Sequence, residues 1–586
     1  MQKVLSIIKS SQSGMSLVEV LLAVAIFAVI STGLIGGIIY GQESTAVAGA
    51  RERAVKIAEE GIEAVKNIRD SNFNAFPADG TYGLTNGTGY WGFNGASDTT
   101  DIFTRSVVLS TVDSRTRDVT VNVTWTQTAQ RSGSISLNMH LADWVTAPTL
   151  YRKGMLVYGD GGNSTDAIKY QIYDDATGTW SVAAATADVD GASANKYLRA
   201  AKVYASPTRN EKVLISRHYN GAGQWIYAQV YNGTTGTWGN VVQLSTWNAT
   251  TYLDVQNFDA TYTANGNLTV VYSDNTTTPK SRVWDGSNWG SQASLNVFGS
   301  SQIPTYIVTR ARPTTNEIMF LSFTQNNRTN TEYYSGSAWS TSTILAAASP
   351  ANTKRLVDFA WSDTNNTKGA AVYTDNAADK SMDISIWTAN GSGGGSWATA
   401  QQYGTAQANN IGALSIAAVK GTANFNVCNK DALATPQIIC MRANTAGWIA
   451  ASNVTVSTVT DLGIQKSFDL DSEQVSPDNL VLVYSDNSTT AKLKKFNIAS
   501  GNWDAAATSL NPLAVGVVKT ARVESNSISS DMMLFVTDAN MDLYSVAWDG
   551  VNNQPFTTPA GKVWTAHGIQ GSATTDYWYD FAWDGM

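Results

Sequence analysis

The chain has 586 residues, of which 43% are hydrophobic and 15% charged, against about a quarter charged in an ordinary soluble protein. Its net charge of −8 argues against nucleic acid as a partner, because phosphate binding needs clustered Lys and Arg. Two cysteines and three histidines (His140, His218, His567) exclude a disulfide scaffold and leave little for a zinc or histidine-built centre, so no metal and no cofactor is expected.

Residues 15–40, MSLVEVLLAVAIFAVISTGLIGGIIY, form an apolar run with one charge, Glu19, and exceed the roughly 20 residues a helix needs to cross a bilayer. Lys3 and Lys9 precede it, which places the N-terminus in the cytoplasm and the rest of the chain on the far side. A secretory signal has its small-residue cleavage site after the apolar stretch, whereas here Gly14 lies before it. The apolar helix is therefore expected to survive processing. Beyond it, Val47, Ala50, Ala54, Ile57, Ala58, Gly61, Ile62, Val65 and Ile68 recur at spacings of three and four, which predicts one amphipathic helix ending near Asp70. A Gly/Asn/Thr-rich loop over residues 79–100 follows. Alternating runs at 103–109, 117–126 and 134–141 then read as a small antiparallel sheet.

At its N-terminus the chain resembles the type IV pilin and type II secretion pseudopilin family, in which a short basic leader ends in Gly and the mature helix has Glu at its fifth position. Cleavage between Gly14 and Met15 places Glu19 there, with Met15 standing where the family usually has Phe. The resemblance implies a leader over 1–14, cut by a prepilin peptidase that methylates the new amino group. It also implies a pilin-like α+β domain over 15–147 and filament assembly in which Glu19 meets the N-terminal amine of a neighbouring pilin subunit. The physical case is independent: a carboxylate inside a spanning helix is costly and usually has a partner. The expected location is the cytoplasmic membrane, single-pass with the C-terminal part exported, and the cell surface or pilus after assembly.

From residue 148 onward a unit repeats roughly every fifty-odd residues, as in VVYSDNTTTPKSRVWDGSNW (270–289), AQVYNGTTGTW (228–238) and TEYYSGSAW (331–339). Its anchors are Trp180, Trp238, Trp289, Trp339, Trp397, Trp448, Trp503 and Phe556, which predicts an all-β propeller of eight blades over 148–586. The first unit lacks a strand and begins at GMLVYGD (154–160). The chain ends in YDFAWDGM (579–586), which matches VDFAWSD (357–363), the first strand of the fifth unit. The terminal strand is expected to close the ring. YDDATGTW (173–180) resembles the Asp-box turn of sialidase-type propellers, and the tryptophans read as packing plugs.

Arg199, Arg310, Arg312, Arg355 and Arg522 fall on predicted first strands, those lining the channel, and are candidate ligand-binding residues. The alternative places them at strand ends, facing solvent or paired with Asp259, Asp358 or Asp469. No local motif joins an acid, a base and a nucleophile, so no catalytic residue is assigned and the chain is read as a non-enzyme. Turns at 160–166 and 469–473 have the oxygen ligands for calcium but also suit hairpins. Cys428 and Cys440, on adjacent predicted strands, are a candidate disulfide. The reading is a minor pilin or pseudopilin displaying a propeller head for surface recognition of a glycan or protein ligand. The alternatives are a sialidase-like surface glycosidase, favoured by convergent carboxylates in the channel, and a secretion pseudopilin contacting cargo.

Overall fold

The computed structural model describes residues 16–71, 73, 76–87, 90–113, 116–128, 131–142, 153–159, 168–175, 177–187, 196–248, 255–349, 355–375, 380–404, 409–432, 435–460, 466–475, 479–510, 513, 516–548, 564–569 and 578–585. Gly14, Met15, the 160–166 turn and Phe556 lie outside them. The chain divides into two compact units, Met1–Leu150 and Tyr151–Met586.

In the first unit a single helix, Leu17–Ser71, spans both the apolar run and the amphipathic stretch. Its first half exposes Leu21, Phe27, Ile30 and Ile38, and it is long and apolar enough there to cross a membrane. From Ala50 onward the small residues Ala50, Ala54, Ala58, Gly61 and Ala64 are buried, so the backbone comes close to the sheet. At Gly61 an added Cβ would lie 2.9 Å from Val121 Cγ1, a contact that glycine alone avoids. The sheet is antiparallel throughout, in the order Gly92–Asn94, Gly80–Thr85, Phe103–Asp113, Thr116–Thr128, Arg131–Ala142, with Asp98–Thr100 also paired to Phe103–Asp113. The stretch expected as a loop thus supplies three short strands. Asp98 explains part of this, since it accepts the Leu84 backbone N–H at 2.8 Å and pairs with buried Arg105 at 3.0 Å.

The described residues of the second unit form eight antiparallel sheets of four or five strands. The innermost strands are, in order, Tyr579–Trp583, Tyr197–Ala205, Phe258–Tyr262, Pro304–Ala311, Val357–Trp361, Ile411–Ala418, Phe468–Ser472 and Val518–Ser525. Each packs against the next, and Tyr579–Trp583 touches both Tyr197–Ala205 and Val518–Ser525, so the circuit closes. The closing strand pairs with Lys153–Gly159 from Tyr579 opposite Tyr158 to Trp583 opposite Gly154. This is a β-propeller whose first sheet is completed by the end of the chain. The tryptophans pack as plugs against other rings: Trp289 on Trp284, Trp397 on Trp387, Trp503 on Phe496, and Trp180 on Tyr173 and His567.

The sheets alternate in kind. Sheets one, three, five and seven have short, regular inner strands with an aspartate at one register position: Asp580, Asp259, Asp358 and Asp469. Sheets two, four, six and eight have longer inner strands, each with a bulge near its start, between Leu198 and Ala200, Pro304 and Tyr306, Ile411 and Ala413, and Val518 and Thr520. The structural repeat is a pair of sheets, where the tryptophan spacing reads a single one. Cys428 and Cys440 lie directly opposite in the sixth sheet, fully buried, with Cα atoms 4.1 Å apart and their sulfurs joined.

Candidate functional site: the central channel

A cavity of about 540 Å³ is lined by residues of all eight inner strands. An inner strand puts every second side chain into this space. The four repeated aspartates use it to staple neighbouring sheets: Asp580 accepts the Val203 N–H at 2.8 Å, Asp259 that of Thr309 at 2.8 Å, Asp358 that of Ile416 at 3.3 Å and Asp469 that of Val523 at 3.4 Å. In every case an odd sheet is tied to the even sheet that follows it.

Cations sit between the staples. Asp259 accepts Lys202 Nζ at 2.6 Å, Tyr204 OH at 2.7 Å and Arg310 at 3.3 Å. Burial alone would raise this carboxyl, but Lys202 and Arg310 outweigh it and hold it below the usual carboxylate range. Arg310 also reaches Asp358 at 3.4 Å, Arg355 bonds Ser415 Oγ at 2.9 Å and Asp469 at 3.3 Å, and Arg522 pairs with Glu524 at 3.0 Å and with Asp580. Burial, with Arg522, Lys202 and Arg355 adding repulsion, pushes the Lys466 ammonium well below its ordinary value.

Three of the five candidate arginines, Arg310, Arg355 and Arg522, therefore line the channel and pair with Asp259, Asp358, Asp469, Asp580 and Glu524. The other two are elsewhere. Arg199 occupies the bulge of its strand and lies over the rings of Tyr197 and Tyr219 at 5.5 and 5.3 Å. Arg312, one residue past its strand, binds Glu317 and donates to the Asn366 carbonyl at 2.7 Å. The 469–473 segment is not a turn: Phe468–Ser472 is an inner strand whose Phe468 and Leu470 enter the core while Asp469 and Asp471 line the channel. Sequence reasoning missed Lys202, Lys466, Asp471 and Glu524 in the channel, and the two-sheet period of the aspartates would have pointed only to the strand that holds Asp471. Glu19 lies in the first turn of the helix, its N–H bonded to the Ser16 carbonyl at 2.9 Å.

Asp471 differs from the stapling aspartates. Burial, reinforced by the Glu524 charge, pushes its carboxyl up to about 7, although the Ser525 hydroxyl and N–H both donate to it, at 2.6 and 2.9 Å. The folded state keeps a proton that the unfolded chain loses. This contribution to stability is complete below about pH 4 and is lost as pH rises through about 7. Asp471→Asn is expected to flatten the fall in urea midpoint between about pH 5 and pH 8. A slope equal to that of the parent would show that the carboxyl ionises in the fold without cost.

Residues 9–35 match the prokaryotic N-terminal methylation motif. The chain carries a prepilin segment. The chain is similar to the BP39L lectin of Burkholderia pseudomallei, at 11% identity over 64% of this chain and 100% of that one, with a TM-score of 0.46. It is similar also to the Aleuria aurantia lectin described as a six-bladed β-propeller (12% identity, 65% and 96% covered, TM-score 0.33). A third likeness is to the periplasmic gluconolactonase PpgL of Pseudomonas aeruginosa (12% identity, 62% and 97% covered, TM-score 0.37). No curated protein sequence matches the chain. Lectins and enzymes both appear among these folds, and neither a ligand nor a reaction is inferred from them.

Proposed function

We propose that the chain is a minor pilin or pseudopilin whose second unit is an eight-bladed recognition head, displayed at the cell surface for a glycan or protein ligand. The observation that carries the recognition reading is the state of the channel carboxylates. Asp259, Asp358, Asp469 and Asp580 each hold a backbone N–H of the next sheet and each faces a cation, so they build the ring. A rigid ring with variable loops is the usual arrangement for a binding surface. The prepilin segment supports a pilin role, with Gly14 and Met15 as the cleavage pair and Glu19 as the assembly contact.

One observation favours the glycosidase as a second reading: carboxylates do converge in the channel, and Asp471, held protonated near neutrality beside Glu524, has the character of a general acid. Two experiments test the proposal. N-terminal sequencing of the surface form is expected to begin at Met15, and Glu19→Leu to enter the membrane but not sheared filaments; a start at Met1 would end the pilin reading. The protein is expected to retain ligands on a glycan or surface-protein array without releasing chromophore from aryl glycosides. Hydrolysis abolished by Asp471→Asn would replace recognition with catalysis.

A further inference from the structure

Between the second and third sheets lies a pocket of about 430 Å³ that shares no lining residue with the channel. Its size is within the range of small-molecule sites. Arg209, Glu211, Asn232, Trp238 and Trp284 form its walls. The charges there are already matched: Arg209 bonds Glu211 at 2.7 Å and the Gly266 carbonyl at 2.6 Å, and Glu211 also accepts Tyr262 OH and Trp284 Nε1, both at 3.1 Å. Gly286, at φ +97°, lets the guanidinium lie against its backbone, where an added Cβ would come within 2.6 Å of Arg209 Cζ. The Arg209–Glu211 unit is thus fixed and neutral as a whole. Arg209 Nε has no hydrogen-bond partner among the described residues and is a donor as fit for a neutral hydroxyl as for an anion, while a neutral ligand brings no charge to disturb the pair.

What remains available is aromatic and polar surface. The Trp238 ring is steadied by Tyr231 and Tyr170 at 5.2 and 5.5 Å, and Asn232, Thr234, Thr237 and Asn240 bring donors and acceptors around it. A ring with an apolar face and a hydroxylated edge satisfies both kinds of wall. We propose that this pocket binds a neutral saccharide ring. The proposal rests on the recognition reading but assigns it to a site other than the channel.

The test uses Gly239, which lines the pocket and has nothing within 4 Å of a Cβ added to it, so a side chain can start there without displacing a neighbour. The full chain, in a non-glycosidic detergent, is titrated with methyl glycosides of neutral hexoses and of uronic acids, read by saturation-transfer NMR. Neutral glycosides are expected to bind the parent and Val182→Tyr, a control on another exposed outer segment. Gly239→Tyr and the smaller Gly239→Leu, with unchanged melting, are expected to weaken binding by about ten-fold or more. Undiminished binding to either folded Gly239 variant overturns the pocket and leaves the recognition reading standing. Binding of uronic acid glycosides alone also overturns it and returns recognition to the channel cations. Binding of neither class overturns pocket and saccharide recognition together.

Discussion

Deleting residues 579–586 is expected to abolish the cooperative fold of the propeller and leave an aggregating product. The segment supplies the innermost strand of the first sheet, and without it Lys153–Gly159 presents unpaired N–H and C=O groups at an inner edge. Tyr579, Phe581 and Trp583 are 3%, 1% and 5% exposed. Burial of each such ring contributes about 2 kcal/mol or more, so their joint loss approaches the whole stability of an ordinary domain, about 5–15 kcal/mol. Phe581 fills the place of the missing side chain at Gly154, where a Cβ would come within 2.1 Å of the ring, so its removal opens a hole that the neighbouring strand cannot fill. Asp580 leaves with it, freeing the Val203 N–H and Arg522. Size-exclusion chromatography and thermal unfolding of the full and truncated chains decide the matter. A truncated protein that stays monomeric and melts with the parent would show that closure does not depend on this strand.

This closure was legible in the sequence because the same words recur: YDFAW at 579–583 repeats VDFAW at 357–361, and a first unit starting at Gly154 is one strand short. The helix was legible for the same reason, since its small and apolar residues keep one period from Val47 to Ile68. The arginines show where such reading stops. Its place on a first strand is all that assigns Arg199 to the channel, but it sits in the bulge between Leu198 and Ala200, where the guanidinium lies over Tyr197 and Tyr219. Arg312 fails differently, because the strand ends at Ala311 and the next residue follows the turn toward Glu317. The 469–473 segment looked like a turn because composition alone cannot separate a polar loop from a strand with one face on a wet, charged channel. The pairing of sheets was hidden by the aromatic anchors, seven tryptophans and Phe556, one in every unit, while the aspartates that define the longer period occur in every second one.

Replacing Asp259 by alanine is expected to destabilise the propeller by about 3–5 kcal/mol, the usual cost of leaving buried charges without their partner. Asp259 is 1% exposed and serves four donors from two neighbouring sheets: Lys202 and Tyr204 from the second, and the Thr309 N–H and Arg310 from the fourth. Its loss orphans a buried ammonium and a buried backbone N–H together. Asp259→Asn, which keeps an acceptor for Thr309 but no charge, should fall between the parent and alanine. Lys202→Met should recover part of the loss on the alanine background, because the orphaned cation is then gone. By contrast, removing Glu52, whose partner Lys56 is as exposed as itself at 70%, is expected to change stability by about 0.5 kcal/mol or less. Urea unfolding of the four variants beside the parent measures this series. If Asp259→Ala cost no more than the surface pair, the sheets would be held by their hydrophobic faces alone, and the aspartates would be available for binding or catalysis rather than committed to the ring.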